Sequence, residues 1–455
     1  MKHSLLFCML ILGLLKNSVA ADLMDIYQQA LDNDTRFKMA YDKYMSSSEA
    51  IPQARAALYP QLTLGAQTGQ FLYNVKSPDF VANTYYATNV WQVTASQALF
   101  NYQAWAKVSQ AKATVKAAQA TFNDAAQDLI LRTAKAYFDV LFSKDTLRFA
   151  QAKKRANKRQ FDQATQRFNV GIDTITSVYE AKAAYDQSIA QVISARNNQE
   201  NQSENLRKLT NHVYQSVDPL RDSKIPLIKP EPNKVEQWVD TGLKQNYKLY
   251  AAKYNLEVAK ENIKAFSSGN WPVFSIQTNA VQAHNAAPNN NYYVQSKQTQ
   301  AGVALAMNFP IFQGGLVQSQ TRQAQFDYQT SSETLEQSYR DIVVNSRIAF
   351  NTIKDGISKV KADKQTVISQ QNSLESTEAQ FEAGTRTMVD VVNAQQRLFE
   401  AQEQLAQDQY NLINATLNLK YLAGTLNVND IELVNSWLAT TRVNGLPPVM
   451  SKASK

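Results

Sequence analysis

The sequence predicts a mixed fold in which long α-helices are combined with transmembrane β-strands, in a chain built from two copies of one unit. Three observations indicate this fold class. Similar segments recur about 212 residues apart, each copy contains strand-like alternation of apolar and polar residues, and helical stretches with heptad repeats follow the strands. No proline interrupts residues 79–218 or 311–446, as expected of long helices, because proline breaks them.

The first 21 residues predict a secretory signal peptide. Lys2 precedes an apolar run from Leu5 to Leu15, and small residues follow up to Ala21. The apolar run is too short to anchor the chain in a bilayer, so the mature chain is expected to be exported. The one cysteine, Cys8, lies in this segment, which excludes disulfides and thiolate metal sites from the mature chain.

The duplication is visible in matched prolines and glycines. Pro60 of "LYPQLTL" corresponds to Pro272 of "NWPVFSI", and Gly171 corresponds to Gly384 at almost the same offset along the chain. The predicted parts are a first repeat at 22–217, a proline-rich linker at 218–234, a second repeat at 235–427 and a C-terminal segment with a flexible tail at 428–455.

Each repeat predicts two strands, within residues 61–99 and 273–311. In the second repeat, "GVALAMNF" places Val303, Leu305 and Met307 on one side and small or polar residues on the other. Because successive side chains of a strand point to opposite faces, this alternation indicates a sheet with one apolar face.

Turns and corners are predicted around these strands. Clusters of Tyr, Asn and Pro at 79–86 and 284–293 predict exposed turns between the strands of each repeat. Pro310, Gly314 and Gly315 predict the corner at which the last strand gives way to a helix, because small residues permit a sharp bend.

Two helical hairpins are predicted after the strands. Val108, Val115 and Phe122 recur at intervals of seven, which indicates a left-handed supercoil with neighbouring helices. Gly171 and Gly384 supply the left-handed backbone that ends one helix, so that the next folds back antiparallel and each glycine marks a hairpin tip. The predicted helices span about 102–168 and 173–210 in the first repeat, and about 316–381 and 385–423 in the second.

Four strands per chain cannot close a barrel, since the smallest usual barrels need about eight. An open sheet edge in hydrocarbon is costly because its N–H and C=O groups lack partners. Several chains must therefore share one barrel, and the periodicity permits a dimer or a trimer. The helices carry many uncharged polar residues beside their apolar stripe, which suits a water-filled duct, although a solvated coiled-coil scaffold would show the same stripe.

The charge and the polar residues argue against several other functions. The formal net charge is +8, and removal of the signal peptide leaves 45 basic and 39 acidic side chains, an excess of +6. Spread over so long a chain, this excess does not predict nucleic-acid binding, which requires clustered Lys and Arg. His3, His212 and His284 cannot form a metal cluster, and no nucleotide-binding or hydrolase motif stands out. No enzymatic activity, cofactor or metal is therefore expected.

Four long motifs in the same order resemble one family of membrane proteins. They are "FNVGIDTITSVYEAKAAYD" from Phe168, "FPIFQGG" from Phe309, "GTRTMVDVVNA" from Gly384 and "YNLINATLNLKYLAGTLN" from Tyr410. In these motifs the chain resembles the TolC-type outer-membrane efflux proteins, the outer membrane factor family, over nearly the whole mature length.

The resemblance implies a homotrimer in the outer membrane of a Gram-negative bacterium. Its 12-stranded β-barrel would contact outer-membrane lipid and continue into a tunnel of 12 α-helices through the periplasm. The linker and the C-terminal region would form a belt around mid-tunnel. Such proteins are passive exit ducts for drugs, toxins or secreted proteins, and their implied partners are a periplasmic adaptor protein and an inner-membrane transporter of the RND, ABC or MFS type.

The resemblance also implies a gate at the hairpin tips. In the family, the arginine at the position of Arg386 helps to hold the entrance shut, and the aspartate at that of Asp390 forms a charged ring. This chain has Asn393 where a further acid is common, Ser177 beside Thr176 where an aspartate usually follows, and Phe381 where an aromatic hydroxyl is often found. Two carboxylates and one phenol of the family's gate are thus absent.

The duplication suggests a compensation for the missing acids. When the two tip glycines are aligned, Ser177 pairs with Asp390 and Glu180 pairs with Asn393, so each copy keeps one acid. We therefore expect Asp390 and Glu180 to form a mixed acidic set at the constriction. Arg386 is expected to contact the Thr176 region of the neighbouring hairpin, although an Arg four residues before an Asp also fits a weak surface ion pair.

A trimeric surface fibre or adhesin, with a coiled-coil stalk and a β membrane anchor, is the alternative function. It would need no duplicated hairpin tips, and the near-equal copies therefore favour the duct.

Overall fold

The computed structural model describes residues 20–77, 80–221, 227, 229–289 and 292–439. The predicted tail from residue 440 onward and residues 1–19 of the predicted signal peptide, with Cys8, lie outside the described residues. The helices are α1 (Leu23–Asn33), α2 (Thr35–Ser48), α3 (Ala50–Ala56), α4 (Tyr102–Asn169), α5 (Ile175–Thr210), α6 (Val235–Gln245), α7 (Tyr247–Ser267), α8 (Leu316–Glu382), α9 (Met388–Leu422) and α10 (Val428–Asn435). The strands are β1 (Gln61–Ser77), β2 (Phe80–Phe100), β3 (Val273–Asn289) and β4 (Tyr292–Asn308).

The chain folds into two compact units, and each unit draws on both repeats. The helical unit comprises the described parts of Met1–Ala40, Phe122–Tyr247 and Tyr339–Lys455, and the sheet unit comprises those of Tyr41–Thr121 and Lys248–Ser338. Compact folding therefore joins the two repeats instead of separating them. Within the part of the chain that the structure describes, no helix is both long enough and apolar enough to cross a membrane.

The sheet unit contains one antiparallel sheet with the strand order β1-β2-β3-β4. The register places apolar side chains together on one face, where Leu64 lies opposite Val93 and Ile276 opposite Leu305. These side chains are exposed, and Leu305 keeps 71 % of its surface accessible. The opposite face carries small and polar residues, which include Thr63, Gln92, Thr94, Gln277 and Asn279. The sheet thus has one apolar and one polar face over this part of its length.

The connections within the two β-hairpins are shorter than the sequence predicted. Only two residues separate β1 from β2, and only two separate β3 from β4. Residues 80–86, 284–289 and 292–293 lie in strands, so the prediction of exposed turns there was wrong. Residues 79, 290 and 291 of the predicted turns lie outside the described residues. Cross-strand pairing explains the difference: Tyr85, for example, lies opposite Leu72, and tyrosine favours strands.

The end of β4 and the corner after it are set by proline and glycine. β4 ends at Asn308, because Pro310 has no N–H to donate to a ladder. Ile311, which the alternation assigned to the strand, therefore lies beyond it. Gly314 and Gly315 follow with φ angles of 61° and 83°, in the left-handed region that favours glycine, and α8 begins directly after them.

β1 and β4 are the edge strands of the described sheet. Each is 17 residues long and pairs with one neighbouring strand. An edge strand presents a row of backbone N–H and C=O groups without ladder partners. The sheet of one chain is therefore open on two sides.

The helical unit has its largest core where α1, α10 and the start of the linker pack against α4. Tyr137 and Phe138 of α4 are fully buried, and the Tyr137 hydroxyl donates to the backbone carbonyl of Asp218 at 2.7 Å. The side-chain oxygen of Asn435 in α10 accepts from the backbone N–H of Leu23 in α1 at 3.0 Å. The first bond fixes the start of the linker on α4, a helix that leads to a hairpin tip, and the second joins α10 to α1.

Candidate functional site

Each helical hairpin ends in the same backbone turn. Gly171 and Gly384 have φ angles of 75° and 76°. In the first tip, the backbone N–H of Ile172 donates to the carbonyl of Arg167 at 2.9 Å, and the equivalent bond of the second tip has the same length. A bond of this kind across a left-handed glycine is the Schellman motif that ends an α-helix, so both tips are built by the same local chemistry.

A threonine caps the start of each return helix. The hydroxyl of Thr174 accepts from the backbone N–H of Ser177 at 3.4 Å, and that of Thr387 accepts from Asp390 at 3.3 Å. The Asp390 carboxylate also accepts from the backbone N–H of Thr387 at 3.0 Å and from its hydroxyl at 2.8 Å. These bonds from Thr387 lower the pKa of Asp390.

The first tip draws its carboxylate from Asp173, a residue that the sequence reasoning missed. The side chain of Asp173 accepts from the backbone N–H of Thr174 at 2.8 Å and from the hydroxyl of Ser177 at 2.7 Å. Asp173 therefore stabilises the start of α5 much as Asp390 stabilises the start of α9. Alignment of the two repeats could have identified Asp173, because Asp173 and Arg386 both stand at the second position after a tip glycine.

Arg386 makes only local contacts among the described residues. Its Nε donates to the side-chain oxygen of Gln380 at 3.2 Å, and its terminal nitrogen lies 3.7 Å from an Asp390 carboxylate oxygen. The Arg386 side chain is 54 % exposed. It does not bind Thr176 within the described part of this chain, so the contact with the Thr176 region stays a prediction.

The first tip repeats this arrangement with different charges. Arg167 stands where the second repeat has Gln380, and its Nε lies 3.6 Å from an Asp173 carboxylate oxygen. Both of these atoms are buried and lack a hydrogen bond within the described chain, so the two groups interact by charge. At these two equivalent positions the first tip has Arg167 facing Asp173, whereas the second tip has Gln380 facing Arg386.

Phe381 links the two hairpins without a hydroxyl group. Its side chain is 7 % exposed, and the guanidinium of Arg167 lies 4.9 Å from the centroid of its ring. A cation over an aromatic face is attracted by the ring quadrupole. Around Phe381 lies a core with residues of both hairpins, namely Ala164, Ala181, Leu374, Met388, Val391, Ala394 and Leu398. The structure therefore brings the two tips together through apolar packing and one cation–π contact.

Glu180 and Asn393 occupy equivalent positions, the sixth residues of α5 and α9. Both side chains are exposed, and Glu180 is paired with no cation among the described residues. Ser177 and Asp390 are likewise equivalent, as the third residues of the same helices. Glu180 of the first tip and Asp390 of the second therefore occupy positions that differ by about one turn along their respective helices.

The contact between Arg167 and Phe381 leads to a stability prediction. Arg167→Gln and Phe381→Leu are each expected to remove it, so a double-mutant cycle should give a coupling of about 1 kcal/mol in the free energy of unfolding. Denaturant titration of the purified protein in detergent measures this quantity. Arg207→Gln, at the far end of α5, is the control and should show no coupling to Phe381→Leu. A coupling below about 0.3 kcal/mol for Arg167 would contradict the contact.

Comparison with known proteins agrees with the division of the chain into two repeats. The family model described as "Outer membrane efflux protein" matches residues 26–212 and 238–425, two segments that correspond to the two repeats. The chain is 36 % identical to the outer membrane protein TolC of Escherichia coli K12 over 430 residues, which cover 93 % of this chain and 86 % of the relative. It is 26 % identical to the alkaline protease secretion protein AprF of Pseudomonas aeruginosa, with 94 % and 90 % covered.

A solved structure shares the fold. The chain superposes on a crystal structure of CusC, described in connection with transmembrane channel formation, with a TM-score of 0.78 at 16 % sequence identity. The match covers 89 % of this chain and 92 % of CusC.

The two-faced sheet, the paired hairpins and these similarities define an outer-membrane channel protein. The chain belongs to the outer membrane efflux protein family, and the predicted TolC-type resemblance is confirmed. The protein is an outer-membrane exit duct of the class that serves efflux and type I secretion. The alternative of a surface fibre or adhesin is not supported.

Proposed function

We propose that three copies of the chain close one 12-stranded β-barrel, which is continuous with a tunnel of 12 helices. The observation that carries this proposal is the four-stranded sheet with one exposed apolar face and two open edges. In a bilayer the edges need hydrogen-bond partners and the apolar face needs lipid. Edge-to-edge pairing of β1 with β4 of the next chain would satisfy the backbone groups, and the polar face would then line the pore.

The duct is passive and depends on partners for energy and for substrate choice. The sequence contains no recognisable nucleotide-binding motif, and a water-filled tunnel makes few specific contacts with its cargo. A periplasmic adaptor protein would dock on the helical part, and an inner-membrane transporter of the RND, ABC or MFS type would drive export. The match to the outer membrane efflux protein family supports efflux as a task, and the similarity to the secretion protein AprF supports protein secretion.

The hairpin tips form the gate of this duct. Arg386 would leave its weak local ion pair and bind the Thr176 region of a neighbouring hairpin, which holds the closed state together. Three copies each of Asp390 and Glu180 would form the acidic set at the constriction, because both side chains are solvent-accessible and neither copy of the tip keeps both acids.

The mixed acidic set predicts that Glu180→Gln and Asp390→Asn each lower the cation selectivity of single channels, since each variant would remove three charges from the constriction of a trimer. Reversal potentials across a salt gradient in planar bilayers measure this selectivity. Asp186→Asn, an exposed acid two turns further along α5, is the control. Unchanged selectivity in Glu180→Gln, with a change in Asp390→Asn, would remove Glu180 from the set.

The barrel is tested by two adjacent substitutions on β4. Leu305 lies on the apolar face and Ala304 on the opposite face. A lysine at a lipid-facing position costs about 2 to 4 kcal/mol near mid-bilayer, so Leu305→Lys should reduce the amount of protein in outer membranes, whereas Ala304→Lys should not.

The unaltered protein should crosslink to the mass of three chains and conduct ions in planar bilayers. A crosslinked dimer, or equal effects of the two lysines, would contradict the proposal.

A further inference from the structure

A cleft of about 750 Å³ lies between α4, α5 and α9 in the helical unit. Tyr185, Val192 and Arg196 of α5 form one wall, and Gln395 and Phe399 of α9 form another. The third wall comes from seven residues of α4, namely Gln151, Ala152, Lys154, Arg155, Ala156, Lys158 and Arg159. Pockets for small molecules usually enclose about 300 to 1,000 Å³. None of these residues takes part in the tip contacts described above, so the cleft is a separate feature.

Five cationic side chains line this cleft, and no carboxylate does. The cations are Lys154, Arg155, Lys158, Arg159 and Arg196. Lys158 forms an ion pair with Asp162, whereas the other four have no ion-pair partner among the described residues. The modest net charge of the whole chain conceals this local cluster, which the sequence reasoning did not single out.

The spacing of the cations on α4 makes them repel one another. Lys154 and Lys158 are four residues apart, as are Arg155 and Arg159, so each pair lies on one face of the helix. Like charges at this spacing destabilise a helix. An anion in the cleft would convert this repulsion into attraction.

Aromatic rings lie beside the charges. The rings of Tyr185 and Phe161 stack with 6.3 Å between their centroids and 5° between their planes. Lys158 Nζ lies 5.8 Å from the Tyr185 centroid and 5.5 Å from that of Phe161. Phe399 is half-buried in the opposite wall. The cleft thus offers flat apolar surface next to a lysine ammonium, and three arginines belong to the same lining.

The charge changes sign on the other side of Phe399. A second cleft of about 430 Å³ shares Phe399, and its lining contains Lys153, Glu400 and Glu403. The two carboxylates repel an anion from that end. The positive region is therefore compact, which favours a small ligand over an extended polymer.

We propose that this cleft binds a small organic polyanion that carries an aromatic ring. Arg155, Arg159 and Arg196 would hold its carboxylate, sulfonate or phosphate groups, because guanidinium binds such groups through two parallel hydrogen bonds. Its ring would lie between Tyr185 and Phe399. The site does not depend on the gate, and it gives the periplasmic part of the duct a ligand-binding function of its own.

Two trianions of matched charge test the proposal on the full-length protein in detergent. Isothermal titration at low salt should show that benzene-1,3,5-tricarboxylate binds, and that it binds severalfold more tightly than the aliphatic propane-1,2,3-tricarboxylate. Binding should weaken as salt is raised, because the charges are partly solvent-exposed. Equal affinity of the two compounds, or no binding of the aromatic one, would overturn the proposal.

A pair of double variants tests the position of the site. Arg155→Gln with Arg159→Gln should lower the affinity for benzene-1,3,5-tricarboxylate about tenfold or more, since two charge-assisted contacts are lost. Lys354→Gln with Lys361→Gln removes the same charge from exposed positions of α8 and should change the affinity less than about twofold. The first variant removes a repelling pair, so its melting temperature should not fall. Equal losses of affinity in the two double variants would show that net charge, and not the cleft, attracts the anion.

Discussion

Gly424→Ala is expected to cost at least about 4 kcal/mol of the free energy of unfolding, or to prevent folding of the helical unit. Gly424 follows the end of α9 with a φ angle of 72°. A Cβ at this position would overlap the carbonyl oxygen of Gln245 and lie 2.8 Å from the backbone nitrogen of Asn246. Both atoms belong to the backbone at the junction of α6 and α7, so no flexible side chain can move aside.

The surrounding hydrogen bonds make a backbone shift costly as well. The carbonyl of Gly424 accepts from the side-chain amide of Gln127 at 3.0 Å, and the Asn246 amide donates to the carbonyl of Leu422 at 3.0 Å. A shift that relieved the clash would strain both bonds, and leaving a buried polar group unpaired costs about 1 to 3 kcal/mol.

Gly384→Ala is the matched control, because Gly384 has nearly the same φ angle, 76°, but nothing lies within 4 Å of the position that a Cβ would take there. It should therefore cost only the left-handed penalty of about 1 to 2 kcal/mol. Denaturant titration in detergent compares the two variants. If both lost the same free energy of unfolding, the close approach of α9 to the α6–α7 junction would not be what requires glycine at 424.

The two-faced sheet and the long helices could be predicted because periodic patterns of apolar residues indicate them. Alternation over many residues predicts a two-faced sheet, and the structure has that sheet. The ends of the β-hairpins could not be predicted in the same way. Residues 284–289 are rich in Asn, Ala and Pro, which resemble a turn, yet pairing with β4 keeps them in a strand. Tertiary pairing overrode local preference there.

The chemistry of the candidate gate was only partly predictable. The sequence singled out Arg386 and Asp390, but it gave no weight to Asp173 or Arg167, whose roles depend on how a turn folds back on the preceding helix. The contact of Arg167 with Phe381 joins residues of different repeats, and no local pattern encodes a contact between segments so far apart in the chain. The repeat could have drawn attention to Asp173, because it occupies the position of Arg386 in the other copy.

Arg386→Ser is expected to increase single-channel conductance and to make cells more sensitive to large antibiotics. Arg386 is 54 % exposed, and its nearest carboxylate oxygen is 3.7 Å away, so its local ion pair contributes little to the stability of the chain. The side chain is therefore free to bind a neighbouring hairpin in the assembled channel. Its removal should weaken the closed state while each hairpin stays folded.

The size of this effect follows from the energy of the contacts that are lost. A hydrogen bond to a charged group contributes about 1.5 to 3 kcal/mol, and every 1.4 kcal/mol lost from the closed state raises the ratio of open to closed channels about tenfold. Planar-bilayer recordings measure this directly. Arg397→Ser, which removes an exposed arginine further along α9, is the control for loss of charge and should leave conductance unchanged. If Arg386 served only its pair with Asp390, then Arg386→Ser would also leave conductance unchanged, and a contact between hairpins would be excluded.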